Sequence, residues 1–130
     1  MSIVYAETLP TKILGRVRFG FDAEGCLLEV KMRADSRSGA RGKAPVSVPS
    51  RLQLERWLQA YVVGNAPPFP GKWEMPGSTE FARAVYAVVA AIKVGQTLSY
   101  GEVAALAGAP NAFRAVGTAM GRNPISLVVP

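Results

Sequence analysis

Four prolines crowd into the thirteen residues of Asn65–Gly77 (Pro67, Pro68, Pro70 and Pro76), and no regular helix can run through them. Proline has no amide proton to donate, and its ring collides with the preceding turn. The stretch therefore reads as an extended connector. It divides the 130-residue chain into two expected domains, 1–77 and 78–130.

The amino-terminal part patterns as strands followed by one helix. Between Ile13 and Phe21, apolar Ile13, Val17, Phe19 and Phe21 stand against Arg16 and Arg18, and Asp22-Ala23-Glu24-Gly25 supplies a turn. Cys26–Met32 is the expected returning strand, and Ile3–Thr8 a third. Cys26 reads most simply as a small apolar residue on a half-buried strand, with a reactive thiol as the other reading. Arg33–Pro49 has the composition of a loop, with Arg33, Arg37, Arg41 and Lys43 facing one acid, Asp35. It is either simply solvated or a contact for phosphates. From Ser50, Leu54, Trp57, Leu58 and Tyr61 recur at helical steps, and Gly64 ends the run.

The carboxyl-terminal part patterns as three helices. Phe81, Val85, Val88, Val89 and Ile92 form one stripe, started by Ser78 or Thr79 with Glu80 in the first turn and stopped at Gly95. Ser99-Tyr100-Gly101-Glu102 is a capping box. The short helix it starts places Val103, Leu106 and Ala107 inward and stops at a left-handed Gly108. Pro110 suits the first turn of the next helix, which runs through Ala112, Phe113, Val116 and Met120 to about Gly121. Two helices joined by a tight turn make a helix-turn-helix candidate. The second is rich in small residues (Ala112, Ala115, Gly117, Thr118, Ala119 and Gly121), which suits either close approach to another surface or close packing on a neighbouring helix. Ile125–Val129 reads as a buried strand or the wall of a pocket.

One cysteine and no histidine exclude an intramolecular disulfide, a Cys/His zinc site and Ser-His or Cys-His catalysis within these residues. The nine carboxylates are scattered and no pair has a persuasive spacing. No apolar run reaches membrane-spanning length, and the amino terminus has no basic region leading into an apolar one, so a soluble, cytoplasmic protein with no membrane partner is expected. The net charge of +6 fits a polyanionic partner. Residues after Gly77 contribute only four bases against two acids, so any case for DNA there rests on placement.

Ser99-Tyr100-Gly101-Glu102, Arg114-Ala115-Val116-Gly117, Asn123-Pro124-Ile125 and Val128-Val129-Pro130, in this order, resemble the O6-alkylguanine-DNA alkyltransferase (methylated-DNA--protein-cysteine methyltransferase) family. The likeness is specific across 78–130, and 1–77 fits the family's amino-terminal lobe in order and length. It implies an α/β plus α architecture: a ribonuclease-H-like lobe, then a helical, winged-helix-like DNA-binding lobe. It implies double-stranded DNA as partner, held in the minor groove with the alkylated guanine flipped out, and no dissociable cofactor or metal. Carried onto this chain, Arg114 enters the stack in place of the flipped base, and Tyr100 crowds the adjacent phosphate and hydrogen-bonds the guanine edge. Ala112, Ala115, Gly117 and Arg122 belong to the DNA-binding helix, and Asn123 braces the turn after it. Phe113 stands where the family often has a small residue, and Tyr86 where it often has tryptophan.

The resemblance also implies that the alkyl acceptor is a cysteine directly after Pro130, followed by histidine and arginine, with the family's catalytic glutamate and pocket wall further on. None of these lies within the 130 residues, so the chain is expected to be truncated, to hold no catalytic residue and, alone, to accept no alkyl group. Cys26 lacks the motif. Two other functions share these features. One is a non-catalytic binder of alkylated DNA; the other is a sequence-specific helix-turn-helix regulator reading the major groove.

Overall fold

The computed structural model describes residues 3–34, 43–65 and 67–129. Asp35, Arg37 and Arg41 of the basic loop lie outside the described residues, as does Pro130. Arg33 and Lys43 are exposed. The architecture is α/β: three antiparallel strands and four helices in two compact units. One comprises the residues up to Pro76 together with Pro124–Ser126; the other comprises Gly77–Asn123 and the residues from Leu127 on.

In the first unit, β1 (Tyr5–Pro10), β2 (Arg16–Phe21) and β3 (Leu27–Lys31) form a meander in the order β1-β2-β3. Tyr5 pairs with Phe21 and Pro10 with Arg16 across the first ladder, and Phe19 with Val30 across the second. Val17, Phe19 and Phe21 share one face because strand side chains alternate, and all three are completely buried. Ile13 departs from the expected alternation. It is 71% exposed in the β1–β2 turn, where Gly15 has φ +70° and the Thr11 hydroxyl donates to the Gly15 carbonyl at 2.6 Å and accepts from the Leu14 amide at 2.9 Å. The β2–β3 turn is built around buried Asp22, whose Oδ1 accepts from the amides of Glu24 (3.0 Å) and Cys26 (2.9 Å). Gly25 completes this turn at φ +84°, with Ser47 lying where a side chain would point. Only glycine adopts that conformation without strain.

Helix α1 (Arg51–Val62) starts at a capping box in which Ser50 accepts from the Gln53 amide and Gln53 accepts from the Ser50 amide. Leu54, Trp57 and Leu58 are its buried residues. An ion pair from Arg51 to Glu7 fastens it to β1, and Trp57 meets Phe19 edge-on at 6.2 Å. Among its described residues the proline-rich stretch holds no helix, as its composition requires, and up to Pro76 it belongs to the packing of this unit. The Pro67 carbonyl accepts from the Trp57 indole at 2.9 Å. Phe69 stacks on Phe19 at 6.1 Å and meets Trp57 at 5.4 Å, and Trp73 pairs in parallel with Leu27. Ile125 pairs likewise with Val30 and is fully buried.

The second unit is three helices, α2 (Glu80–Ala90), α3 (Tyr100–Leu106) and α4 (Phe113–Gly121), each packed on the other two. Thr79 caps α2, accepting from the Ala82 amide at 3.1 Å. The helix closes at Ala90, short of Ile92 and of Gly95, which turns at φ +84° in the following segment. The Ser99–Glu102 capping box forms in full, at 3.1 and 3.2 Å, and Gly108 ends α3 at φ +93°. The inward residues of α3 are Val103 and Ala104, whereas Leu106 is 65% exposed. A seven-residue helix presents less than two turns to its neighbours, and Ala104 allows the close approach. Pro110 lies in the turn before α4, not in its first turn, and Ala112 is the N-cap. Among the described residues, no helix is long and apolar enough to cross a membrane.

The run after α4 is no regular strand. Beyond the single bridge at Ile125 the chain turns through Ser126–Val128. Leu127 has φ +75°, a left-handed conformation that costs a side-chain-bearing residue roughly 1–2 kcal/mol. Leu127 and Val129 are nevertheless buried.

Candidate nucleic-acid interface

α4 has two unlike faces. Val116 and Ala119 are buried against the other two helices of the unit, and buried Tyr86 of α2 donates its hydroxyl to the Ala119 carbonyl at 2.7 Å. Burial raises the Tyr86 pKa, with Arg122 opposing the rise, so the phenol stays protonated and able to donate at neutral pH. This bond fixes α4 along its length. Nothing in the sequence pattern marks it, because a tyrosine among apolar residues looks like one more core aromatic.

The opposite face is exposed and consists of Arg114, Ala115, Thr118, Gly121 and Arg122. These positions follow a helical period, so they form one stripe. Its side chains are small except at its two ends, where Arg114 and Arg122 stand eight residues apart, about 12 Å along a helix axis. No acidic residue occurs from Ala107 to Arg122. The Thr118 hydroxyl donates to the Arg114 carbonyl at 3.2 Å, which turns it inward and leaves the stripe low. The stripe is thus a shallow, cationic, weakly contoured surface, suited to close contact with a polyanion.

Tyr100, at the start of α3, is 52% exposed and lies over Gly117, where an added Cβ would stand 3.2 Å from the ring's Cε2. Gly117 thereby lets the two helices approach, and the Tyr100 ring rests beside the α4 stripe. Ala112 is half-buried at the helix start, while Arg122 is the exposed C-cap. Asn123 stands apart from the stripe: it is half-buried and its Nδ2 donates to the Val129 carbonyl at 2.6 Å, clasping the two ends of the turn that holds Leu127. Tyr100, Arg114, Ala115, Gly117 and Arg122 therefore gather around the exposed side of α4, with Ala112 at its edge. Thr118 and Gly121 complete the stripe. Helical spacing from Arg114 points to both, and they were legible only as part of the small-residue set.

Cys26 lies in the first unit, partly buried just before β3. Burial raises its thiol pKa, and the carboxylates of Asp22, Glu74 and Glu24 add to the rise against the opposing charge of Lys72. A raised pKa leaves less thiolate at neutral pH than a free cysteine has, the reverse of an activated nucleophile. Among the described residues no three His, Cys, Asp or Glu side chains converge on a point where a metal could sit.

Residues 80–130 match the family model of the 6-O-methylguanine DNA methyltransferase DNA binding domain. A methylated-DNA--protein-cysteine methyltransferase of Methanosarcina acetivorans is 38% identical over 98 residues, covering 69% of this chain and 62% of that protein. Its counterpart from Salmonella typhimurium is 45% identical over 89 residues, covering 68% and 52%. The chain thus spans between about half and three fifths of the length of these relatives. The fold resembles a crystal structure of Mycobacterium tuberculosis OGT in complex with DNA, with a TM-score of 0.71, 30% identity and coverage of 96% of this chain and 74% of that one. Agreement in sequence along α2–α4 and in fold along nearly the whole chain leaves one assignment: the chain belongs to the O6-methylguanine DNA methyltransferase family.

Proposed function

We propose that this chain is the DNA-engaging portion of a DNA repair protein that moves an alkyl group from O6 of guanine to a protein cysteine. In this reading the first unit is a ribonuclease-H-like lobe and the second a winged-helix-like one. α4 lies in the minor groove of a duplex, and the alkylated guanine is turned out of the stack. The observation that carries the reading is the exposed stripe of α4. A helix bearing Ala115, Thr118 and Gly121 between Arg114 and Arg122 can approach a narrow groove closely, with a cation at each end for phosphates or the stack. A major-groove reader needs polar side chains long enough to reach base edges, and this stripe holds none between its arginines.

Each site residue then has a task. Arg114 fills the space left by the extruded nucleotide, and Tyr100, held beside α4 by its contact with Gly117, presses on the neighbouring phosphate and meets the turned-out guanine. Ala112, Ala115 and Gly117 keep the approach close, and Arg122 contacts backbone phosphate. Asn123 holds the turn that leads away from the helix. The acceptor role is not given to Cys26, which lacks the family's acceptor motif and lies in the first unit, where burial and nearby carboxylates favour the thiol over the thiolate.

Extrusion costs least where pairing is already weakened, so the chain is expected to bind a duplex containing O6-methylguanine about tenfold more tightly than the same duplex with guanine. Fluorescence anisotropy at one fixed salt concentration measures this. Equal affinities would remove the lesion from the proposal, and a strong preference for one undamaged sequence would favour a major-groove regulator.

A further inference from the structure

We infer that Phe113 is a second DNA-contacting side chain, an apolar wedge that rests on a base step beside the one Arg114 enters. The inference builds on the minor-groove reading above and concerns a residue to which that reading gives no task. Phe113 is the first residue of α4 and is 50% exposed. Long side chains on a helix lean toward its amino terminus. From the first position the ring therefore lies toward the amino-terminal end of the helix, with half of its surface open.

Arg114 follows Phe113 directly, and Gly117, one turn on, carries the Tyr100 ring. Phe113 and Gly117 are four residues apart and so share one side of α4, which places Phe113 on the side of the helix that carries the Tyr100 ring, with Arg114 next to it in the chain. The remaining large residues of α4 are sheltered, with Val116 buried and Met120 partly so.

Charge complementarity selects the occupant. The segment Ala107–Arg122 has no acid and two arginines, which suits a polyanion that also presents flat apolar faces. A duplex with one nucleotide extruded offers such faces at the disrupted step. A phenyl ring makes no hydrogen bond to a base edge, so its contribution is indifferent to sequence and is largest where stacking is already broken. Arg114 then fills the gap while Phe113 supports the adjoining base.

The test compares the unaltered chain with Phe113→Ala and Phe113→Trp on an O6-methylguanine duplex. Phe113→Ala is expected to weaken binding about tenfold while leaving the slope of log affinity against log salt unchanged, because no phosphate contact is lost. In Phe113→Trp, saturating DNA is expected to quench indole emission beyond any change that Trp57 and Trp73 give in the unaltered chain. Unchanged affinity in Phe113→Ala, or no additional quenching in Phe113→Trp, overturns the wedge and leaves the α4 reading standing. If the unaltered chain binds no duplex, the α4 reading fails and the wedge fails with it.

Discussion

Arg114→Ala is expected to bind an O6-methylguanine duplex about thirtyfold more weakly than the unaltered chain, a loss of about 2 kcal/mol. Its affinity for undamaged duplex should fall much less. The asymmetry follows from the two ways a guanidinium can contribute. As a phosphate contact it would help every duplex alike and would steepen the salt dependence by about one ion. As the group that occupies a vacated stack, it stabilises only DNA from which a nucleotide has been extruded. Arg114 is exposed and the packed face of α4 is carried by Val116 and Ala119, so truncation to alanine leaves the helix packing untouched. Anisotropy titrations of both duplexes, repeated at three salt concentrations, separate the two contributions. A uniform loss across duplexes with a shallower salt slope would make Arg114 a phosphate ligand.

Phe19→Ala is expected to destabilise the first unit by about 4 kcal/mol, within the range for removing a buried aromatic side chain. Phe19 is fully buried and its ring touches both Trp57 of α1 and Phe69 of the proline-rich stretch. The cavity would therefore open where strand, helix and proline-rich segment meet. No neighbour can fill it easily: Trp57 is tethered by its indole bond to the Pro67 carbonyl, and Phe69 lies in a segment whose prolines restrict its backbone. Urea denaturation followed by tryptophan emission checks the value, since Trp57 reports on this cluster. A loss below about 1 kcal/mol would mean that the cluster collapses around the gap.

Local chemistry made much of this fold legible. Ser99 and Glu102 announce a capping box, and the box forms; Gly108 announces a left-handed stop, and it is one. Such features depend on residues three or four apart and on backbone sterics, both written in the chain. What failed was hydrophobic patterning, which does not show where a strand begins or which residues of a helix meet its neighbours. Ile13 fits an alternating pattern yet sits in a turn, because Thr11 and Gly15 close the chain there before the strand begins. Leu106 looked inward on hydrophobicity, but α3 meets its neighbours through Val103 and Ala104. Of the two readings of Ile125–Val129, a buried strand or the wall of a pocket, the strand does not form because the chain turns at Leu127.

The site divides in the same way. Tyr100, Arg114 and Gly117 were singled out by an ordered resemblance, and the structure adds that Tyr100 lies on Gly117, a contact between residues seventeen positions apart. Composition left the small residues of α4 with two readings, packing and close approach. The structure divides them by face: Ala119 packs, while Ala115, Thr118 and Gly121 are exposed. The Tyr86 hydroxyl bond to the Ala119 carbonyl had no sequence signal, since a tyrosine reveals a hydrogen-bond partner only once the fold supplies one.

Nucleotide extrusion by α4 is tested most directly with 2-aminopurine placed next to O6-methylguanine in a duplex, its emission followed as the chain is added. Unstacking relieves the quenching of this base, so emission is expected to rise to saturation with the unaltered chain and to stay near its starting value with Arg114→Ala at concentrations where both are bound. Binding by the unaltered chain with no rise in emission would contradict extrusion and leave α4 a helix that only tracks the groove.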